Sequence, residues 1–295
     1  MKHVLFYSFF SCIVGSHVYA NERDTLFYNL EKLEAYTSIP LPTKMEFCGE
    51  VVPLHLIDVR ERLDREIVIN RNLHSATELI IKRAKRIFPI IEPILKEYGI
   101  PDDFKYLAVI ESGLANVTSS AGAKGVWQFM PGTAKEFGME ITDTVDERYN
   151  IELSTINACK YLLKAKEKFG SWTLAAAAYN RGSGGISRSL EQQYVSDYYD
   201  LLLTEETSRY VFRILALKDI MERPKYYGFI VPENEKYPAI KTRKVQVKDN
   251  IDDLAKFAQD NGSNYKTMKM LNQWLRDTKL VVTPGKTYYI EFLDE

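Results

Sequence analysis

The sequence lacks the composition of several common functional classes. Its 295 residues carry a formal net charge of only -1, from 39 basic and 40 acidic side chains. Nucleic-acid-binding proteins usually present a strongly basic surface, so the charge gives no support to that class. Cysteine is scarce, and Cys48 and Cys159 have no neighbouring cysteine or histidine at ligand spacing. No zinc site is therefore predicted, while a disulfide and two buried thiols both remain open.

A long hydrophobic run is missing as well. The apolar stretch at residues 4–14 is too short to cross a membrane comfortably. A lysine precedes it, and Val18-Tyr19-Ala20 follows with small residues at the usual cleavage positions of a secretory signal peptide. We therefore predict a signal peptide at residues 1–20 and an exported protein. Lipidation at Cys12 is an open alternative, although Phe9-Phe10-Ser11 is bulky for a lipidation signal.

The pattern of apolar residues and prolines divides the rest of the chain into four segments. Residues 21–75 are an N-terminal extension, in which three prolines interrupt regular structure and a four-residue apolar spacing predicts one helix. Residues 76–223 show helical periodicity without a convincing alternating strand, which predicts an all-α domain. A proline-punctuated linker, 224–242, precedes a small β-α-α-β domain at 243–293. The predicted fold class is therefore mainly α.

The ends of the central helices can be predicted from their capping residues. Ser75-Ala76-Thr77-Glu78 has the form of a capping box that begins a helix, and Gly99 ends that helix. Pro101 opens the next helix, which stops at Gly113. The stretch 113–130 is rich in Gly, Ser and Ala and is predicted to be a long loop. Further helices are predicted at about 131–137, 150–169, 171–179 and 204–222.

Glu111 is the first candidate catalytic residue. It lies at the predicted C-terminal end of a helix, directly after the apolar run Leu107-Ala108-Val109-Ile110. Apolar surroundings and the negative end of the helix dipole both disfavour the carboxylate, so both raise its pKa. A glutamic acid that keeps its proton near neutral pH can act as a general acid, for example toward a glycosidic oxygen. A solvated glutamate at a helix end is the alternative.

Several short motifs accompany this glutamate in a fixed order. They are Glu111-Ser112, Gly125-Val126-Trp127-Gln128, Ala178-Tyr179-Asn180 and the segment 205–211. Their order and spacing over about residues 80–222 resemble the family 1 lytic transglycosylases, and Gly-Val-Trp-Gln resembles the variant of the membrane-bound D type. The resemblance implies a goose-lysozyme-like helical catalytic domain, without a cofactor, that acts on peptidoglycan glycan strands in the periplasm or cell envelope.

The resemblance also implies the chemistry of the site. Glu111 would protonate the leaving oxygen of the β-1,4 bond between N-acetylmuramic acid and N-acetylglucosamine. As a base, it would then activate the muramic C6 hydroxyl, so that a 1,6-anhydro end forms. Ser112 would form a hydrogen bond in the reaction centre, and Gln128 would hold the sugar or orient Glu111. Most glycosidases use two carboxylates, whereas no acidic residue follows Glu111 until Glu136.

The other candidate site residues have structural alternatives. By the same resemblance, Tyr179 and Asn180 would line the cleft, with Asn180 near the reacting sugar. Tyr210 would position the catalytic glutamate or the substrate from the last helix. Core packing is the alternative for both tyrosines, since Tyr210 is in helical register with apolar residues. Trp127 and Phe129 can also be core aromatics, and we predict that Phe129 is one.

Residues 243–293 resemble a LysM domain, a small module that binds peptidoglycan and chitin. The matching features are Ile251-Asp252-Asp253-Leu254-Ala255, Met270-Leu271-Asn272 and Pro284-Gly285-Lys286. The usual Gly-Asp-Thr turn is replaced by Lys248-Asp249-Asn250, which leaves sugar binding open. As a tethered binder, such a module would raise the enzyme concentration on an insoluble polymer. A structural cap without a binding role is the alternative.

Two other functions remain compatible with these motifs. A hydrolytic muramidase on the same fold would use Glu111 to activate water, with a second carboxylate from Asp102, Asp103 or a distant position. A non-catalytic peptidoglycan-binding protein with a decayed enzyme domain would be expected to lose some motif residues, which this sequence keeps. Peptidoglycan is the predicted partner in each case, and peripheral association with the cell wall or outer membrane stays open.

Overall fold

The computed structural model describes residues 38–294. The predicted signal peptide and Cys12 lie outside the described residues. From Leu41 onward the described residues pack as one compact unit. None of the described helices combines the length and apolar character that a bilayer span requires. Cys48 and Cys159 are both free thiols, so the structure contains two thiols where the sequence left a disulfide open.

Helices dominate the described residues, which confirms the predicted mainly α fold. In order, the α-helices of this part of the chain are α1 Ile57–Asn72, α2 His74–Glu97, α3 Lys105–Ser112, α4 Pro131–Glu136, α5 Ile151–Phe169, α6 Trp172–Arg181, α7 Ser183–Gln193, α8 Glu205–Glu222, α9 Leu254–Asp260 and α10 Tyr265–Leu271. This part of the chain also contains two small antiparallel sheets of two strands each. The first sheet consists of β1 Glu46–Phe47 and β2 Glu50–Val51, and the second consists of β3 Thr242–Val247 and β4 Tyr288–Leu293.

The segment before the helical domain is part of its core. Val59, Leu63 and Ile67 lie on one face of α1 and are buried, as their four-residue spacing predicts. This helix packs against α8. There, Arg209 Nε lies 2.6 Å from Oε1 of the buried Glu66. Because an uncompensated buried carboxylate is costly, this ion pair ties α1 to α8.

The start of α2 differs from the prediction. The capping box expected at residues 75–78 does not form, and the helix begins at His74 without a side-chain cap. The Thr77 hydroxyl instead donates to the Asn70 carbonyl at 2.7 Å. Only Leu73 separates the two helices, so Ser75 already lies inside the first turn of α2 and cannot occupy the N-cap position that a capping box requires.

The helix α7 is absent from the prediction. It follows α6 almost directly and begins with Ser183, Gly184 and Gly185, whose glycines weaken the helical signal. A Cβ atom on Gly185 would lie 2.8 Å from Cγ of Arg181. Close packing between the end of α6 and the start of α7 therefore explains a glycine that intrinsic helix propensity would disfavour.

The segment predicted as a linker, 224–242, packs against α2. The Tyr237 N–H donates to the Lys82 carbonyl at 3.0 Å. Arg86 Nε donates to the Pro238 carbonyl at 3.0 Å. These bonds fix the path of the segment along the helix surface.

The C-terminal segment folds as β3-α9-α10-β4, as predicted from its pattern. The strands pair in antiparallel register, with Val247 opposite Tyr288. The inward side chains of both strands form a buried cluster with the two helices, and this cluster includes Val145 and Tyr149 of the helical domain. The C-terminal module is therefore docked on the helical domain, which differs from the expected tethered arrangement.

Candidate active site

Glu111 lies in the last turn of α3. The five residues before it are all buried, and Gly113 closes the helix in the left-handed conformation with φ 59°. Tyr210 on α8 is only 2% exposed, and its hydroxyl donates a hydrogen bond to Glu111 Oε1. Arg213, one turn further along α8, donates from Nη2 to the Ile110 carbonyl at 2.9 Å. The helix α8 therefore holds both the side chain of the glutamate and the backbone that carries it.

The carboxyl group of Glu111 is suited to proton transfer near neutral pH. Burial is the main cause that raises its pKa from 4.5 to about 7, and the negative charge of Glu206 acts in the same direction. The hydrogen bond from Tyr210 and the positive charge of Arg213 oppose this shift. Burial and the charge of Glu111 keep the pKa of Tyr210 well above 10, so the phenol stays protonated. Because the phenol donates to Oε1, Oε2 is the oxygen left to carry the proton of the neutral acid.

Ser112 and Gln128 both bond to the loop that follows α3. The Ser112 hydroxyl donates to the Val126 carbonyl at 2.8 Å. Gln128 has a φ of 50°, and its side-chain nitrogen donates to the Gly125 carbonyl at 2.7 Å. Within the described residues, Gln128 forms no hydrogen bond to Glu111. The two side chains therefore shape the loop here, and any contact of Gln128 with a sugar remains a prediction.

Gly125 stands where no larger residue fits. Its φ is 83°, and a Cβ atom would lie 1.9 Å from the Arg148 carbonyl oxygen. The buried Arg148 side chain pairs with Asp146 at 2.8 Å and donates to the Phe129 carbonyl at 3.2 Å. The short segment 146–148 therefore supports the loop that follows the catalytic candidate.

Tyr179 and Asn180 end α6 beside the same site. The Tyr179 hydroxyl donates to the Trp127 carbonyl at 2.8 Å. Burial and the nearby charge of Glu111 raise the pKa of Tyr179 well above 10. Asn180 Nδ2 donates to Glu206 Oε1 at 3.0 Å. The structure thus brings Tyr179 and Tyr210 close to Glu111, and Asn180 contacts a second carboxylate, that of Glu206.

Trp127 and Phe129 are core aromatics. Their side chains are 0% and 3% exposed. Trp127 Nε1 donates to the Thr155 hydroxyl at 2.8 Å, and the Phe129 ring meets the Tyr179 ring edge-on with centroids 5.8 Å apart. The packing role predicted for Phe129 is confirmed, and Trp127 has the same role.

Glu206 is the site residue that sequence reasoning missed. It is exposed in the first turn of α8, four residues before Tyr210, so both side chains lie on one face of the helix. That spacing is the signal by which it could have been found. Asp102 and Asp103 are each paired with a lysine, at 2.6 and 2.7 Å. Across residues 38–294, no group of three or more His, Cys, Asp or Glu is arranged to hold a metal ion.

Comparison with known proteins identifies both parts of the chain. Residues 88–202 match the family model of the transglycosylase SLT domain, and residues 243–292 match that of the soluble lytic transglycosylase C-terminal LysM-like domain. The chain therefore contains an SLT transglycosylase domain followed by a LysM-like domain. It is homologous to the membrane-bound lytic murein transglycosylase D of Escherichia coli strain K12, at 28% identity over 228 residues, which are 75% of this chain and 49% of that protein.

Two further similarities cover less of the molecules. The peptidoglycan transglycosylase gp16 of Escherichia phage T7 is 33% identical over 129 residues, which are 41% of this chain and 9% of that protein. A solved structure of an inactive mutant of the lytic transglycosylase Slt from Pseudomonas aeruginosa gives a TM-score of 0.40 at 23% identity, and covers 51% of this chain and 26% of that one. The chain spans about half the length of the transglycosylase D relatives that it matches.

Proposed function

We propose that this protein is a peptidoglycan lytic transglycosylase. It cleaves the β-1,4 bond between N-acetylmuramic acid and N-acetylglucosamine and leaves a 1,6-anhydromuramic acid end. The observation that carries the proposal is Glu111, a half-buried acid with a pKa raised to about 7 and one oxygen bound by Tyr210. The match to the SLT domain and the homology to a murein transglycosylase support peptidoglycan as the substrate.

Glu111 acts as acid and then as base in this proposal. From Oε2, it donates its proton to the glycosidic oxygen, so that the bond to C1 of the muramic sugar breaks and N-acetylglucosamine leaves with a hydroxyl group. The carboxylate then removes the proton of the muramic C6 hydroxyl while that oxygen attacks C1. The new C1–O6 bond closes the anhydro ring, Glu111 regains its proton, and no water is consumed.

Tyr210 is a positioning residue in this mechanism. Its hydroxyl occupies Oε1 of Glu111, so the carboxyl group cannot rotate freely and Oε2 is presented to the substrate. Its position on a buried helix face makes this orientation rigid, because α8 packs against α1, α3 and α6. The same contact offsets part of the rise in pKa that burial causes.

The other four predicted site residues shape the cleft, and they are Ser112, Gln128, Tyr179 and Asn180. Ser112 joins the end of α3 to the Val126 carbonyl, and Tyr179 holds the neighbouring Trp127 carbonyl. Gln128 belongs to the same loop, and we propose that it contacts a sugar there. Asn180 holds Glu206 at the mouth of the site and approaches the reacting sugar.

A hydrolytic muramidase is the second candidate, and Glu206 favours it. The sequence alone placed no second carboxylate near Glu111, whereas the charge of Glu206 reaches that residue and raises its pKa. Glu206 is exposed and bound by Asn180, and in this second proposal it is the carboxylate that activates water. The identity of the product end separates the two candidates.

The proposed place of action is the cell envelope. Residues 1–20 have the pattern of a secretory signal peptide, and peptidoglycan lies outside the cytoplasmic membrane. We propose export to the periplasm, with the homologue's envelope association as support. A protease-protection assay on spheroplasts measures this directly, because an exported protein is digested without lysis.

Digestion of purified sacculi tests the proposed activity. The wild type is expected to release muropeptides with anhydro ends, and Glu111→Gln is expected to release none because it keeps the shape of the side chain without its proton. Glu136→Gln, which removes an exposed carboxylate paired with Lys164, is the matched control and should match the wild type. Reducing ends would select the muramidase. No release by any variant, with sacculus binding intact, would select a binding protein.

A further inference from the structure

The LysM-like module is joined to the helical domain by main-chain hydrogen bonds. The Asp146 N–H donates to the Trp274 carbonyl at 2.9 Å, and the Arg276 N–H donates to the Thr144 carbonyl at 2.8 Å. Val145, between these bonds, is fully buried in the hydrophobic core of the module. Backbone pairing with a shared core fixes the module in one position on the helical domain.

Ion pairs surround this contact. Lys286 Nζ lies 2.7 Å from Glu140 and 3.3 Å from Glu147. Lys244 Nζ lies 2.7 Å from Glu152. Both lysines belong to the module, and these glutamates belong to the helical domain. The charges of the two lysines are therefore compensated across the interface, and the space between the two parts is preformed.

The docked module encloses a cavity of about 820 Å³. Its walls are α2, residues 114–116, the start of α5, the end of α10 and the strands β3 and β4. This volume is within the range of small-ligand sites. The side chains proposed above for catalysis and sugar binding do not line it. Leu114 and Ala115 do line it, and they follow Glu111 by three and four residues, so the cavity adjoins the proposed active site.

The cavity has an uncompensated positive charge on the α2 wall. Four cationic and three acidic side chains line it. The acidic ones all face lysines of the module, since Glu291 also lies 3.7 Å from Lys244. Arg83 and Arg86 are half-buried and form no salt bridge within residues 38–294. They lie three positions apart, on one face of the helix.

Each of these two arginines donates one hydrogen bond to a backbone carbonyl. Arg83 donates from Nη1 to the Gly113 carbonyl at 3.1 Å, and Arg86 donates from Nε to the Pro238 carbonyl at 3.0 Å. A guanidinium has five N–H donors in a planar fork that matches a carboxylate. The remaining donors of both groups are therefore available to an anionic ligand.

We propose that this cavity binds the acidic peptide attached to the muramic acid at the cleaved bond. The inference rests on the proposed function, because that function places a peptide-bearing sugar at Glu111. Carboxylates of the peptide pair with Arg83 and Arg86, and its alanyl methyl group packs on apolar wall residues such as Leu114 and Trp274. A neutral glycan would leave the two guanidinium charges uncompensated, so the charge of the wall selects the peptide.

Titration calorimetry on the full chain tests the site with a free peptide that has no glycosidic bond. The probe is the tripeptide L-alanyl-γ-D-glutamyl-diaminopimelate, which is expected to bind the wild type. Arg86→Gln is expected to weaken binding about tenfold or more, through loss of a charge-assisted contact. Lys85→Gln is the matched control, since Lys85 is exposed, contacts the same 224–242 segment through Glu233, and lies outside the cavity.

A second pair of variants avoids any risk to folding. Met270 is 62% exposed at the cavity wall, so both charges are tolerated there. Met270→Glu is expected to weaken binding of the tripeptide by repulsion, whereas Met270→Lys is expected to preserve or strengthen it. Chitotetraose, a neutral glycan, should not displace the tripeptide.

The outcomes separate this site from the proposed activity. Absence of tripeptide binding, equal binding by Arg86→Gln and Lys85→Gln, equal binding by the two Met270 variants, or displacement by chitotetraose would overturn the peptide site. None of these results concerns bond cleavage, which the digestion of sacculi measures by its anhydro products. Conversely, tripeptide binding without any cleavage would support the peptide site and contradict the proposed transglycosylase activity.

Discussion

The hydroxyl of Tyr210 donates a hydrogen bond to Oε1 of Glu111, across 99 residues of sequence and from α8 onto the end of α3. Two properties of the acid depend on this contact. It holds the carboxyl group in one orientation, and it lowers a pKa that burial raises. A change at Tyr210 should therefore alter the rate and the pH dependence together, which loss of stability alone would not do.

Replacement of Tyr210 by phenylalanine tests that coupling. Tyr210→Phe is expected to lower kcat/KM about 10²-fold, because the acid loses its fixed orientation. The alkaline limb of the pH profile should also move to higher pH, since a contribution that lowers the pKa of Glu111 is gone. Tyr198→Phe is the control, because that buried hydroxyl bonds to α8 carbonyls and not to Glu111. An unshifted limb would show that Tyr210 has only a packing role.

The wild type should lose activity as the pH rises through about 7. The proposed first step needs the protonated form of Glu111, and the fraction of that form falls above its pKa of about 7. The profile of kcat/KM against pH, measured on soluble glycan strands at constant ionic strength, checks this. A rate that stays constant to pH 9 would be incompatible with Glu111 as the general acid.

The raised pKa of Glu111 also predicts a cost in stability. Between pH 4.5, its ordinary pKa, and about pH 7, the folded protein binds this proton more strongly than the unfolded chain does. Stability therefore falls as the pH rises through that window, by up to about 3 kcal/mol at its upper end. Glu111→Gln removes this cost. Urea unfolding should show a higher free energy of unfolding for the variant, relative to the wild type, at pH 8 but not at pH 4. An equal difference at both pH values would contradict the raised pKa.

Two glycine substitutions isolate the support that residues 146–148 give to the active-site loop. Gly122 and Gly125 both have a positive φ, so alanine at either position costs about 1–2 kcal/mol of backbone strain. Only at Gly125 would the new Cβ meet a backbone atom, the Arg148 carbonyl oxygen, while Gly122 has open space. Gly125→Ala should therefore lower the free energy of unfolding by about 1–3 kcal/mol more than Gly122→Ala does. It should also reduce activity more than Gly122→Ala. Equal free energies of unfolding for the two variants would argue against the close approach.

The helical part of the fold was predictable because its signals are local. Apolar spacing in α1, the proline at the start of the turn before α3 and the glycine that ends α3 each identify an element from neighbouring residues alone. The capping box predicted for α2 does not form because the helix begins at His74, directly after α1, so Ser75 lies inside the first turn. Helix α7 was missed because its glycines weaken the helical signal, and the packing of Gly185 against Arg181 cannot be read from sequence periodicity.

The site was only partly predictable for a similar reason. Motif order identified Glu111 and Tyr210 as candidates, although 99 residues separate them. Their hydrogen bond, the carboxylate of Glu206 and the support from Arg148 depend on how distant segments pack. The docking of the LysM-like module was also beyond the sequence pattern, because Val145 and Tyr149 contribute to its core from more than ninety residues upstream.

Mass spectrometry of products formed in ¹⁸O-labelled water tests the central claim most directly. Wild-type protein and purified glycan strands are incubated in H₂¹⁸O, and the new muramic ends are analysed. Because the proposed mechanism attacks C1 with the sugar's own C6 oxygen, the account predicts anhydro ends without ¹⁸O, and none from Glu111→Gln. Reducing ends that carry ¹⁸O at C1 would mean that water is the nucleophile, and would contradict the lytic transglycosylase.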